Sequence, residues 1–279
     1  MNTTTLKLIE MAINEDLDKN GDITSNAIFS PDEKGNFKLL SKSEGVLCGT
    51  EVFKEVFKYI DKNITVDFLY KDGNIIKSGT TIAHLNGSVI NILCGERTGL
   101  NFISHLSGIA TKTAQFVKSS GNKIRILDTR KTLPAYRMLQ KYAVKCGGGD
   151  NHRIGLFDMV MIKDNHIDAA GSIKSAVNKV KTKWNNRFKI EVETRNLKEV
   201  EEALECNVDR IMLDNMDNDT MIKAVKLINK KAEIEASGNM TIERIAELKD
   251  SGIDYISFGE LTHTVKCFDF SLKRKNNYE

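Results

Sequence analysis

From Lys123 onward the chain repeats one pattern: a short run rich in Ile and Val, then a stretch with apolar residues three and four apart. The runs are KIRILDTR, DMVMIKDN, FKIEVETR, DRIMLDNM, AEIEASGN and DYISFGEL. Between them, segments such as 197–204 (LKEVEEAL) and 241–248 (TIERIAEL) read as amphipathic helices with charge on the outer face. Strands that are apolar on both faces need cover on both, which crossover helices supply. The repeat therefore predicts a parallel α/β sheet, doubly wound or closed into a barrel. Every run ends in polar residues: Asp128, Arg130 and Lys131; Lys163 and Asp164; Glu191 and Glu193; Asp214; Ser237; Ser257. Barrel enzymes collect their chemistry from the C-terminal ends of several strands, so these ends favour the barrel.

Ahead of this region the texture differs. Residues 3–16 read as a helix, followed by the turn signals DKNGD and SPDEKG. FKLLSKSEGVLCG, ITVDFLY and TTIAHLNG then read as short strands, and 88–119 as one or two connecting helices. The expected division is an α/β region with its connecting helix over 1–110, the catalytic region over 111–265, and a C-terminal segment over 266–279 whose lysine-rich end reads as a solvated tail.

A net charge of +3 is too weak a bias to suggest a nucleic-acid partner. No stretch is long and apolar enough to span a bilayer. The start, MNTTTLKLIEMAINEDLD, places acids inside an amphipathic pattern and does not read as a signal peptide. The five cysteines (Cys48, Cys94, Cys146, Cys206 and Cys267) are odd in number, far apart and without a C-x-x-C pair. They suggest neither a disulfide framework nor a zinc site; each reads as a small buried apolar residue in a reducing cytoplasm.

The charge is not evenly spread. Arg125, Arg130, Lys131, Arg137, Lys141, Lys145, Arg153 and Lys163 crowd into one stretch, the signature of a local anion site. Within it, a strand end delivers Thr129, Arg130 and Lys131, and a later loop carries three consecutive glycines before His152 and Arg153. Three glycines signal unusual dihedrals or close backbone approach to a ligand. Arginine forks match carboxylate geometry, so Arg130 and Arg153 suit a dicarboxylate or a phosphate. Opposite in sign are Glu191 and Glu193, two apart on one strand face, and Asp214 on the next strand. Acids at neighbouring strand ends beside a basic cluster suggest a polar substrate between them, the plain alternative being structural ion pairs with Lys163 and Arg130. Ser237, Gly238 and Asn239, then Ser257, Phe258 and Gly259, follow the last two strands, where barrels commonly bind phosphate. His84 and His105 sit in apolar contexts and read as core histidines. A metal, if used, is expected to be Mg²⁺ carried by substrate phosphates and held by Glu193 or Asp214.

The motifs ERTGLNFISHLSGIAT, DTRKTLPAYRMLQKYAVKCGGGDNHRIGLFDMVMIKDNH, EVE, LDN, EASGN and SFGELTH, with an early DITS, resemble the quinolinate phosphoribosyltransferase family over nearly the whole chain. The resemblance implies an incomplete TIM-like α/β barrel with an N-terminal α/β open sandwich domain. It implies transfer of phosphoribosyl from phosphoribosyl pyrophosphate to quinolinate with decarboxylation, with Mg²⁺ and no organic cofactor. It also implies a homodimer, alone or in a higher oligomer, in which Arg97 of the ERTG motif enters the neighbour's site. Carried over, Arg97, Arg130, Lys131, His152, Arg153 and Lys163 surround the carboxylates and pyrophosphate, and Glu193 and Asp214 meet the ribose hydroxyls and Mg²⁺. Ser237, Gly238, Asn239, Ser257, Phe258 and Gly259 hold the 5′-phosphate; Lys131, Glu193 and Asp214 are the expected catalytic residues. One departure stands out: the family commonly reads RKTTPGLR, whereas Leu133, Ala135 and Tyr136 replace its second Thr, its Gly and its Leu. Two alternatives follow: a paralogue of the same fold, associated with molybdenum transport genes, that uses another acceptor, and a non-catalytic sensor of phosphoribosyl ligands.

Overall fold

The computed structural model describes residues 1–275. In chain order its elements are α1 (Thr3–Leu17), α2 (Ile23–Ile28), β1 (Lys34–Ser41), β2 (Gly45–Val46), α3 (Thr50–Ile60), β3 (Thr65–Phe68), β4 (Ile75–Ile76), β5 (Thr81–Ser88) and α4 (Val89–Ser120). There follow β6 (Arg125–Leu127), α5 (Arg137–Cys146), β7 (Val160–Ile162), α6 (Asp164–Ala170), α7 (Ile173–Trp184), β8 (Ile190–Thr194) and α8 (Leu197–Glu205). The last elements are β9 (Arg210–Asp214), α9 (Asn218–Ile228), β10 (Glu233–Ser237), α10 (Ile242–Leu248), β11 (Tyr255–Ser257), α11 (Glu260–His263) and β12 (Phe270–Arg274). Among the described residues two compact units emerge: 1–114 with 133–148 and 264–275, and 115–132 with 149–263.

In the first unit four strands pair in the order β12-β1-β5-β3. Phe37, Leu39, Ile82 and Leu85 point from this sheet into a core shared with Phe53 and Phe57 of α3 and Ile92 and Ile103 of α4. Burying one such side chain contributes roughly 1.5–3 kcal/mol, so the sheet and two helices hold together chiefly through this layer. β12 corrects the reading of the C-terminal end. Phe270 and Leu272 are buried while Lys273 and Arg274 are exposed, and the strand pairs antiparallel with β1, Leu272 opposite Leu39. Alternation at period two, masked by the basic residues, makes a strand there; residues 276–279 of the expected tail lie outside the described residues. Of the five cysteines, only Cys48 is fully buried and Cys267 is exposed.

The second unit is a six-stranded parallel sheet in the order β6-β11-β10-β9-β8-β7. From β7 to β11 each strand lies beside its successor, and β6 sits beside β11. A doubly wound sheet would reverse its order part-way. Here the one pairing missing from a closed ring is β6 with β7, so among the described residues the sheet is an incomplete barrel, not a closed one. Asp150 makes an isolated parallel bridge to Leu127 on the β6 edge. Helix N-caps follow the local sequence: Ser172, Asn196, Asp217 and Thr241 each accept a backbone N–H from the first turn of α7, α8, α9 and α10. Among the described residues no helix is long and apolar enough to cross a membrane.

The turn before α5 carries the departures noted above. Ala135 has φ +60°, a left-handed conformation that costs an L-residue about 1–2 kcal/mol. Its neighbours hold it there: the Leu133 N–H donates to Gln140 Oε1 at 2.9 Å, and the Tyr136 ring stacks on Phe102 with centroids 5.6 Å apart. Ala135→Gly should relieve the strain and, after glycine's own backbone entropy of about 0.5–1 kcal/mol, raise stability by up to about 1 kcal/mol. Urea unfolding of the two proteins checks this, and a destabilised glycine variant would contradict it.

Candidate active site

A pocket of about 720 Å³ opens at the C-terminal ends of the strands of the second unit. Its wall is built in strand order. Thr129, Arg130 and Lys131 follow β6, and Lys163 follows β7. Glu193 comes from β8, Asp214 from the end of β9, and Ser237 from the end of β10. Gly238 and Asn239 come next, and Ser257, Phe258 and Gly259 close the ring after β11. His152 and Arg153 enter from the loop that follows the glycine triplet. Of the sequence-derived site residues, Arg97 alone is not in the lining; it lies on α4 in the first unit. The basic cluster divides similarly: Arg137, Lys141 and Lys145 belong to α5, and Arg125 pairs with Asp150 at 2.7 Å.

Below the pocket lies a group of charges. Glu191 and Glu235 are fully buried on β8 and β10, with Arg210 of β9 on the strand between them. His152 Nε2 sits 2.9 Å from Glu191 Oε2 and 3.3 Å from Glu235 Oε2. Arg210 reaches Glu235 and Glu233 at 3.0 Å each and lies over the Tyr255 ring, 4.1 Å from its centroid. Burial, with Glu235 adding repulsion, pushes Glu191 up to about 7. Glu235 is held below the usual carboxylate range: burial opposes this, but His152, Ser257 and Arg210 outweigh it. Burial alone would lower His152, yet the hydrogen bonds and charges of Glu191 and Glu235 hold the imidazole up at about 9. The Arg153 N–H lies 2.7 Å from Nδ1, a contact that gives way when the ring takes its second proton.

Each rim group is oriented by a neighbour. Buried Asp128 accepts from the His152 N–H at 2.9 Å and from Asn151 Nδ2 at 2.6 Å, fastening the His152 loop to the end of β6. The Lys131 N–H donates to Thr129 Oγ1 at 3.0 Å, and Thr262 donates to the Lys131 carbonyl at 2.8 Å. Lys163 Nζ donates to Glu193 Oε2 at 2.5 Å. Asn215 links two strand ends, donating to Asp214 Oδ2 at 2.7 Å while its Oδ1 accepts from Asn239 Nδ2 at 3.1 Å. Gly238 has φ +82°, and a Cβ there would fall 2.2 Å from Asn215 Oδ1. Only glycine fits both that backbone and that approach. Arg153 is depressed by burial and by the nearby positive charge of Arg130. Two guanidinium groups that oppose each other's charge are ready for an anion between them.

The plain reading of the acids as structural ion pairs is met in part. Glu193 forms the ion pair expected with Lys163, while Asp214 has Asn215 as its partner. Sequence reasoning passed over Asn215, His263, Glu260 and Met161, Met212 and Met240, which also line the pocket. It offered Glu191 Lys163 and Arg130 as ion-pair partners, where the structure places His152, and gave Glu235 and Arg210 no role. The EVE and EAS runs, read as strands with a carboxylate one step below the mouth, carry the signal that could have found the two glutamates.

Residues 22–107 match the family model described as quinolinate phosphoribosyl transferase, N-terminal domain, and 109–273 match that of its C-terminal domain. The chain is 44% identical over 253 residues to the "probable nicotinate-nucleotide pyrophosphorylase [carboxylating]" of Bacillus subtilis, covering 90% of this chain and 87% of that protein. Its structure is similar to the crystal structure of NadC from Streptococcus pyogenes, with a TM-score of 0.93, 40% identity, and coverage of 97% and 96%. It is also similar to the nicotinate-nucleotide pyrophosphorylase from Francisella tularensis, with a TM-score of 0.94, 40% identity, and coverage of 99% and 97%.

The buried charges set a pH dependence. His152 is raised to about 9 in the folded chain from 6.5 when free. Its stabilising proton is therefore fully bound in both states below about 6.5, and its contribution is lost as pH rises through 9. We expect the unfolding free energy to fall across that window by up to about 1.4 kcal/mol per pH unit, and less steeply in Glu235→Gln. Urea titrations across the range measure it; equal slopes in the two proteins would remove the imidazolium from the network.

Proposed function

This chain belongs to the quinolinate phosphoribosyltransferase family, and from that premise we propose that the strand-end pocket is its active site. The protein transfers phosphoribosyl from phosphoribosyl pyrophosphate to quinolinate with decarboxylation, giving nicotinate mononucleotide, pyrophosphate and CO₂ in de novo NAD biosynthesis. The observation that supports the assignment of residues is the pairing of opposite charges in one cavity. Arg130, Lys131, Arg153 and Lys163 share it with Glu193 and Asp214. A pyridine dicarboxylate and a pyrophosphate require the first set, and a ribose developing positive charge requires the second.

In this reading Arg130, Arg153 and the His152 imidazolium hold quinolinate's carboxylates, and Lys131 and Lys163 meet the pyrophosphate. Ser237, Gly238, Asn239, Ser257, Phe258 and Gly259 take the 5′-phosphate. Held in line, the ring nitrogen forms its bond to the anomeric carbon as the bond to pyrophosphate breaks, the leaving group keeping the electron pair. Glu193 and Asp214 stabilise the positive charge that develops on the ribose. The alkylated ring is then cationic and accepts the electron pair of the bond to the adjacent carboxylate; CO₂ departs and a solvent proton takes its place. No organic cofactor is needed, because the substrate ring is the electron sink.

Glu193 and Asp214 offer hard carboxylate oxygens on neighbouring strands, a donor set that fits Mg²⁺ arriving with substrate phosphates. Mg²⁺ so bound would neutralise charge on the pyrophosphate as it leaves. We further propose a cytoplasmic homodimer, alone or within a higher oligomer, in which Arg97 of each chain completes the partner's pocket.

Incubation with quinolinate, phosphoribosyl pyrophosphate and Mg²⁺ should release nicotinate mononucleotide and CO₂ in equal amounts. Pyrophosphate release with another acceptor, and none with quinolinate, would overturn the assignment. Arg130→Ala should raise the KM for quinolinate about 10- to 150-fold, the equivalent of one or more charged hydrogen bonds, with a smaller change for phosphoribosyl pyrophosphate. Unchanged steady-state kinetics would refute the role given to Arg130.

A further inference from the structure

The cysteines, dispersed in sequence, are not all dispersed in space. Within the first unit Cys48, at the end of the loop before α3, meets Cys146, the last residue of α5, although 98 positions separate them in the chain. Asp72 joins them from the turn before β4, and one ligand atom from each of the three lies within 4.8 Å of the others. We propose that Cys48, Cys146 and Asp72 form a binding site for a thiophilic divalent cation of the zinc(II) type, separate from the phosphoribosyl pocket.

Chemistry and geometry support the site together. Two thiolates and one carboxylate, with solvent in the fourth position, make a tetrahedral donor set suited to zinc. Bond lengths of about 2.3 Å to sulfur and about 2.0 Å to oxygen place tetrahedral ligand atoms about 3.5–3.8 Å apart, so closing on a cation requires movements of about 1 Å or less. The ligands are already oriented. Asp72 Oδ1 accepts the N–H groups of Gly49 and Thr50 at 3.0 Å each, and the Tyr142 hydroxyl donates to Oδ2 at 2.9 Å. Hydrogen bonds of this kind, from groups that do not touch the metal, fix a ligand's direction and tune affinity. The Ser107 hydroxyl accepts from the Cys48 N–H at 2.9 Å and donates to its carbonyl at 3.1 Å, holding that backbone against α4. The two sulfurs interact directly, and Tyr142, one turn before Cys146, stands beside the second sulfur as well. Cys48 is fully buried, whereas Cys146 and Asp72 are half-buried and Tyr142 is exposed, so a cation enters from the Tyr142 side. Bound there, it would tie three segments of the first unit at the point where α5 leads into the Gly147–Gly148–Gly149 loop.

The test uses the full chain, stripped of metal and kept reduced by a phosphine, titrated with Co²⁺ alone. One equivalent should produce the near-ultraviolet thiolate-to-cobalt charge-transfer band and tetrahedral visible bands, and Zn²⁺ should abolish both. The band should vanish in Cys146→Ser, whose retained nicotinate mononucleotide synthesis shows that it is folded. Tyr142→Phe, which spares all three ligands, should weaken Co²⁺ binding about 10- to 100-fold. Absence of the band in the unaltered protein, or its persistence in Cys146→Ser, would overturn the proposal.

Discussion

Two carboxylates buried side by side in a parallel sheet are the constraint on which the second unit turns. Glu191 and Glu235 have no access to water, and an isolated buried carboxylate costs far more than a domain's net stability. Compensation comes from Arg210, on the strand between them, and from His152, carried in by a loop. Neither cation suffices by itself. Arg210 approaches from the N-terminal end of β9, while His152 covers the carboxylates from the pocket side. The network therefore requires the loop that crosses the pocket floor, and Asp128 holds that loop to β6. Removing one partner of such a group is expected to be more damaging than replacing the whole group, because what is left is an unpaired buried charge.

The same network shapes what the pocket can bind. The acids beneath His152 raise its affinity for a second proton, and once protonated the buried ring adds positive charge to the pocket lining with little screening by solvent, which strengthens any contact with an anion. Around it stand cations that are less buried and that owe their placement to strand ends. The period of two along β8 separates the work of its two glutamates. Glu191 lies inside and balances the floor, and Glu193, one step nearer the mouth on the same face, meets Lys163 and the cavity.

The barrel strands were legible because parallel strands covered on both faces must be apolar throughout, and six such runs in series leave few arrangements. The rim was legible for the related reason that polar residues ending apolar runs have only the mouth to go to. The floor was not. Arg210 stands just before IMLDN, where a charged residue reads as surface, and nothing local shows that β8 and β10 on either side carry acids at its level. Helix α3 was left unread although TEVFKEVFKYI repeats Val52, Phe53, Val56, Phe57 and Ile60 at helical spacing; its β-branched and aromatic residues favour strands as readily as helices and obscure that period. Its helical state rests on tertiary burial of the face that carries Phe53 and Phe57.

The cysteines and the KTLPAYR turn show the same limit from opposite sides. Spacing in sequence argues against a shared site for Cys48 and Cys146, since metal-binding pairs are usually recognised by short separations. The chain nevertheless brings them together, because α5 folds back into the first unit although it follows the first strand of the second. At Ala135 the local signal points to glycine, and the turn forms without it because Phe102, His105 and Gln140 hold the residues on either side. In both places tertiary contacts decide a local outcome. None of these residues lines the pocket where the charges are arranged, so the constraint on each comes from its packing neighbours.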